Sequence, residues 1–210
     1  MEKVHADYMH DCAVKLCEYL IKECSILIEM TDFIGDCEEI CNRISATEYD
    51  ADSIMHTLSY YFKDNNLADD DGANMFFDVI KSLEYSTDVV EELAKTVYRY
   101  NYTNIDEKFV NCSGLALRAA KDTLKLVTTV HDDSSVGVLA KEIKKLDQYK
   151  IDFMRDYDHM IRDLFTSDMD PVEIIKTHNV IDAFKNVFLS FEQISDTAFT
   201  LLINSNNYFN

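Results

Sequence analysis

One proline and four glycines in 210 residues give this chain few means of turning back on itself. Sheets joined by tight turns, and nucleotide folds built on glycine-rich loops, need those residues at many positions. Their scarcity points to long helices and few loops. Turn-forming residues concentrate at Thr31–Gly35, Asn65–Asn74, Asn101–Asp106, His131–Gly137 and Thr166–Pro171. The last is the sharpest: Asp170 suits an N-cap, Pro171 the first helical position, and Glu173 a capping box. The predicted helices run over about 3–30, 36–63, 73–100, 106–131, 137–165 and 171–205.

Between these turns the apolar period is helical. Ile40, Ile44, Ala51, Met55, Leu58 and Phe62 follow it in the second segment. Phe76, Ile80, Leu83, Thr87, Val90, Ala94 and Val97 follow it in the third. Phe109, Leu115 or Leu117, Ala120, Leu124 and Val127 continue it in the fourth. Nothing reads as a strand. Long helices with short connections pack as antiparallel neighbours, so the expected fold is an all-α, up-down helical bundle.

A faint repeat runs through it. Phe77-Asp78-Val79-Ile80-Lys81 sets above Ile181-Asp182-Ala183-Phe184-Lys185 at an offset of 104, which also places Asp88 on Glu192. Asp52 lies 100 before Asp152. The expectation is one helical domain over 1–210, made of three-helix halves at about 1–103 and 104–210.

Charge narrows the function classes. With 20 Lys and Arg against 39 Asp and Glu the net charge is −19, and the pI is near 4.5. Such a surface repels phosphate backbones and anionic leaflets, so neither nucleic-acid binding nor direct membrane insertion is expected. It favours cations and basic partner surfaces. The first 30 residues carry no basic segment followed by an apolar one, and acids interrupt them throughout, so a signal peptide is not expected. A cytoplasmic protein with reduced thiols is. Of six cysteines, Cys37 and Cys41 share a helix face and form at most half a thiolate site. No nucleophile elbow, phosphate loop or zinc-protease helix motif occurs.

Some acids stand where a core should be. Glu48 lies between Ile44 and Ala51 on the second helix, with Asp52 one turn on; Glu84 lies beside Ile80, Leu83 and Thr87, with Asp88 one turn on. In each pair both carboxylates project the same way. Like charges at that spacing cost an isolated helix about 0.2–0.5 kcal/mol, and burial of an unpaired carboxylate costs far more. Acids this abundant form such pairs by chance, mostly on solvated faces. Recurrence beside the seam of two adjacent helices singles these out as candidate ligands for a shared metal ion, with His56, four residues after Asp52, as an outer one.

These residues resemble a family, the PhoU-like proteins, in the shorter branch of phosphate transport regulators paired with Pit-type phosphate transporters. Glu48-Tyr49-Asp50-Ala51-Asp52-Ser53-Ile54-Met55-His56 is similar to its E-x-E-A-D-x-I-x-H run. Leu83-Glu84-Tyr85-Ser86-Thr87-Asp88 is similar to its L-D-D-x-x-D run, and Asp170-Pro171-Val172-Glu173-Ile174-Ile175-Lys176 to the opening of its last helix. The resemblance implies a cytoplasmic, non-enzymatic regulator that binds transition-metal ions, iron, zinc or similar, through two sets of paired carboxylates. It implies contact with a phosphate transporter or phosphate-sensing protein at its cytoplasmic face, and it is compatible with a homo-oligomer. Glu48, Asp52, Glu84 and Asp88 carry over as one set. In the other, Asp152 and Glu192 match, but Gln148 and Phe188 stand where its acids belong. The second site is therefore expected to be weak or lost.

A reading from another class is a carboxylate-bridged metalloenzyme or metal-storage bundle. It predicts a buried site with Glu-x-x-His spacing. The nearest approach beside the seam is Asp52 with His56. A third reading is a scaffold without metal, in which the seam acids are rim residues.

Overall fold

The computed structural model describes residues 1–30, 37–103, 105–131 and 136–205. Their elements are α1 (Lys3–Glu29), α2 (Cys37–Asp64), a 3-10 turn (Leu67–Asp69), α3 (Asp71–Arg99), α4 (Glu107–His131), α5 (Val136–Phe165) and α6 (Pro171–Ser205). The fold is an all-α helical bundle, with no strand among the described residues, and the helices begin and end within two residues of the sequence expectation. Residues 31–36 and 132–135, which cover most of two expected turns, lie outside the described residues.

Three helices open on an aspartate at a described turn. Asp70 accepts from the Ala73 amide at 2.8 Å, Asp106 from the Phe109 amide at 3.0 Å, and Asp170 from the Val172 amide at 2.8 Å. Each satisfies an amide that the first helical turn leaves without a partner, and each negative charge suits the helix N-terminus. Glu173 does not close a capping box; it pairs with Lys176 at 2.8 Å. Earlier in the Asp70 and Asp106 turns, Asn66 (φ 53°) and Asn101 (φ 45°) take the left-handed conformation, which asparagine tolerates better than most residues.

The packing repeats. α1, α2 and α3 pack on one another, as do α4, α5 and α6; α1 also packs on α4, and α3 on α6. Four helices, α1, α3, α4 and α6, form the middle of the bundle, with α2 and α5 on its flanks. Every seam residue expected in α3 is buried. In α4 the buried stripe is rotated from the expected one: Cys112, Ala116, Ala119, Thr123 and Leu126 line it with Phe109, Ala120 and Val127. Leu115, Leu117 and Leu124 are only half-buried, packed at its edge. Small residues in the stripe let α4 lie close to α1, and the bulky leucines cover the margins. No helix among the described residues is long and apolar enough to cross a membrane.

Candidate metal centre

α1, α2 and α3 bring six carboxylates to one region. The apolar seam of α1 runs Met9, Ala13, Leu16, Leu20, Glu23, Leu27, alternating steps of four and three, so Glu23 occupies a core position. Its exposure is 0%, and neither carboxylate oxygen has a hydrogen-bond partner. From α2, half-buried Glu48 and Asp52 flank the buried Ala51. From α3, half-buried Glu84 and Asp88 flank the buried Thr87, and Glu91 lies one turn further on.

These groups sense one another. The Glu23 carboxyl is held far above the usual carboxylate range, first by burial and then by the charges of Glu48, Glu91 and Asp88. Glu48 is raised by burial, by Glu91, Asp88 and Asp52, and by donating a hydrogen bond to Asp88. Burial and the charges of Asp52 and Glu48 raise Glu84, while His56 opposes them. Asp88 is pushed up to about 6 by burial and then by Glu84, although the hydrogen bond from Glu48 favours its charged form. Both causes have the same meaning: the fold holds negative charge here that water would hold more cheaply.

Protein cations offset little of it. Lys95 pairs with Glu91 at 2.6 Å, Lys22 acts weakly on Glu23, and the exposed His56 lies 3.4 Å from Asp52. Glu48, Asp52, Glu84 and Asp88, the four carboxylates singled out in the sequence, are thus brought to one region. His56 sits at its outer rim, with 72% of its side chain exposed.

Asp152 and Glu192 are placed differently. Asp152 accepts from the Gln148 amide at 3.1 Å and lies 3.6 Å from Arg155, while Glu192 accepts from Lys150 at 2.8 Å. Nearby, Asp147 accepts from the Ser195 hydroxyl. Phe188 is wholly buried and stacks on Phe153 with ring centroids 4.4 Å apart. The second half also brings carboxylates together, since burial and the charges of Glu192 and Asp147 raise Asp196, but there Lys150 and Arg155 lie among the acids and Phe188 fills the core position.

The chemistry of this oxygen set, though not its present geometry, is of the kind a cation would offset. A buried carboxylate with no partner is among the most costly features a core can hold, and a multivalent ion is one of the few groups that compensates several at once. As the side chains stand, no three His, Cys, Asp or Glu groups among the described residues converge on a coordination position. The Glu48–Asp88 hydrogen bond engages oxygens that coordination needs, so binding requires these side chains to turn and a proton to leave. The Cys37/Cys41 half-site gains no support: burial pushes the Cys41 thiol up, away from the thiolate a metal takes. A separate cavity of about 220 Å³ between α4, α5 and α6, around Phe109, Met160 and Phe184, includes none of these carboxylates.

Glu23 and Glu91 were not among the sequence candidates. A carboxylate inside an otherwise apolar heptad seam is a signal for Glu23; nothing marks Glu91 apart from other surface acids. The chain does contain one Glu-x-x-His spacing, Glu2 with His5, but Glu2 is 81% exposed and precedes α1. No family model and no curated protein matches this chain.

Proposed function

We propose that this protein is a non-enzymatic, metal-binding regulator of inorganic phosphate transport that acts by contact with a transporter or phosphate sensor. The observation that carries the metal part is the set of unneutralised carboxylates on α1, α2 and α3, with the orphaned Glu23 at its centre. Glu48, Asp52, Glu84 and Asp88 would hold the ion. Its charge would offset their repulsion and tie three helices together. The transport part rests on the PhoU-like resemblance, and the bundle and its acidic surface are compatible with it. A net charge of −19 suits the Lys- and Arg-rich cytoplasmic loops of membrane transporters.

Two measurements test this. Protein purified without added metal or chelator should contain bound metal by elemental analysis. Glu48→Ala with Asp52→Ala should lower that content, while Asp152→Ala, whose carboxylate already has protein partners, should leave it unchanged. Equal losses from both would contradict the proposed asymmetry, and no metal above background removes the centre. Affinity capture from a membrane fraction should recover a phosphate transporter or its sensor kinase; recovery of soluble proteins alone counts against the transport role.

A further inference from the structure

We infer that Glu23 is an inner ligand of this centre, seating a hard divalent cation such as Mn2+ between α1, α2 and α3 on oxygen donors alone. The inference rests on the metal reading above but goes beyond its paired carboxylates, which lie on α2 and α3 only.

Three observations carry it. First, Glu23 is fully buried with both oxygens unpartnered, although α1 had every other seam position available for apolar side chains. The charges of Glu48, Glu91 and Asp88 all act on it, from both α2 and α3.

Second, the two halves supply an internal control. At an offset of 103 the buried stripes of α1 and α4 align: Met9 with Cys112, Ala13 with Ala116, Leu16 with Ala119, Leu20 with Thr123, and Cys24 with Val127. The same offset sets Glu23 on Leu126, which is equally buried. In the half where the interior residue is leucine, Glu192 has its own lysine, although it still acts on Asp196. Where it is glutamate, Glu48, Glu84 and Asp88 have no lysine or arginine within ion-pairing distance among the described residues. The second half's own buried glutamate, Glu142, has Lys125 at 2.6 Å; Glu23 has no such partner, as expected if an external cation takes the ammonium's place.

Third, the donor chemistry is uniform. Inner groups are carboxylates; His56 is exposed at the rim, and the neighbouring α1 sulfur, Cys24, is a fully buried thiol driven strongly toward its neutral form. Carboxylate sets suit Mg2+, Ca2+ and Mn2+, whereas zinc and copper sites draw on imidazole and thiolate.

The test is Mn2+ titration of the full chain by calorimetry and thermal unfolding at pH 7.5. Wild type should bind Mn2+ and unfold at higher temperature with it. Glu23→Gln keeps size and shape while removing the anionic form a cation needs. It should weaken Mn2+ binding about tenfold or more, while the chelated variant stays folded by circular dichroism. If Glu23→Gln does not fold, Glu23→Leu, the residue the second half uses, gives the same readout. Wild-type Mn2+ affinity in either variant, with binding lost in the Glu48→Ala, Asp52→Ala protein, overturns the role of Glu23 and leaves the metal reading standing. Binding of Zn2+ but not Mn2+ overturns the oxygen-donor, hard-cation assignment. No binding of either ion by wild type removes both this inference and the centre.

Discussion

Asp88→Asn should stabilise the protein without metal and destabilise it with metal. Asp88 is held at about 6 against an ordinary value of 3.8, a difference of about two pH units, or ~3 kcal/mol at 1.36 kcal/mol per unit. The side chain is only half-buried, so solvent screening reduces this to about 1–1.5 kcal/mol. The sign follows from proton binding. Between pH 4 and 6 (about the unfolded and folded values) the native state holds more of this proton than the unfolded state does. Stability from this group is therefore fully present below about pH 4 and lost as pH rises through about 6. Asparagine carries no charge to repel. In chelator at pH 7.5 the variant should be more stable by about 1–1.5 kcal/mol in urea, or about 2–5 °C in melting temperature for a chain of this size. By pH 5 the gain should roughly halve. Adding Mn2+ should raise wild type above the variant, because the substitution removes a ligand. A variant less stable than wild type in chelator at pH 7.5, or a gain that ignores pH, would refute the argument that the fold stores charge repulsion here.

The other predictions concern the remainder of the bundle. Phe188→Ala removes a wholly buried ring stacked on Phe153 and should cost about 3–5 kcal/mol in urea unfolding; an unchanged metal content would separate that packing role from the centre. Thiol labelling of the folded protein should reach half-buried Cys37 first and leave Cys17 and Cys24 unmodified, since both are fully buried with thiols pushed far up. Modification of Cys17 or Cys24 at the rate of Cys37 would show that α1 does not stay packed.

The helices were legible because their causes are local. Scarcity of glycine and proline, clusters of turn-forming residues, the Asp170 cap and a 3.6-residue period act over a few residues, and they locate each helix end within two positions. The α3 seam was equally plain, since large apolar residues alternate cleanly with polar ones. The α4 seam is not legible in the same way because which face is buried depends on the neighbour: alanines and Thr123 take the inside where α1 approaches, and leucines are left at the edge.

The candidate centre divides in the same way. Spacing alone put Glu48 on the side of Asp52 and Glu84 on the side of Asp88, because i, i+4 geometry belongs to a single helix. Sequence also showed that the second half lacks acids at Gln148 and Phe188. It could not show that Lys150 would reach Glu192, or that Glu23, on a different helix, would sit unpartnered among the carboxylates of α2 and α3. Those facts depend on which helices meet and at what register, which is set by the packing of whole faces. Sequence determined six helices and two carboxylate pairs. Tertiary structure decided which charges are neutralised by the protein itself and which remain to be met by something else.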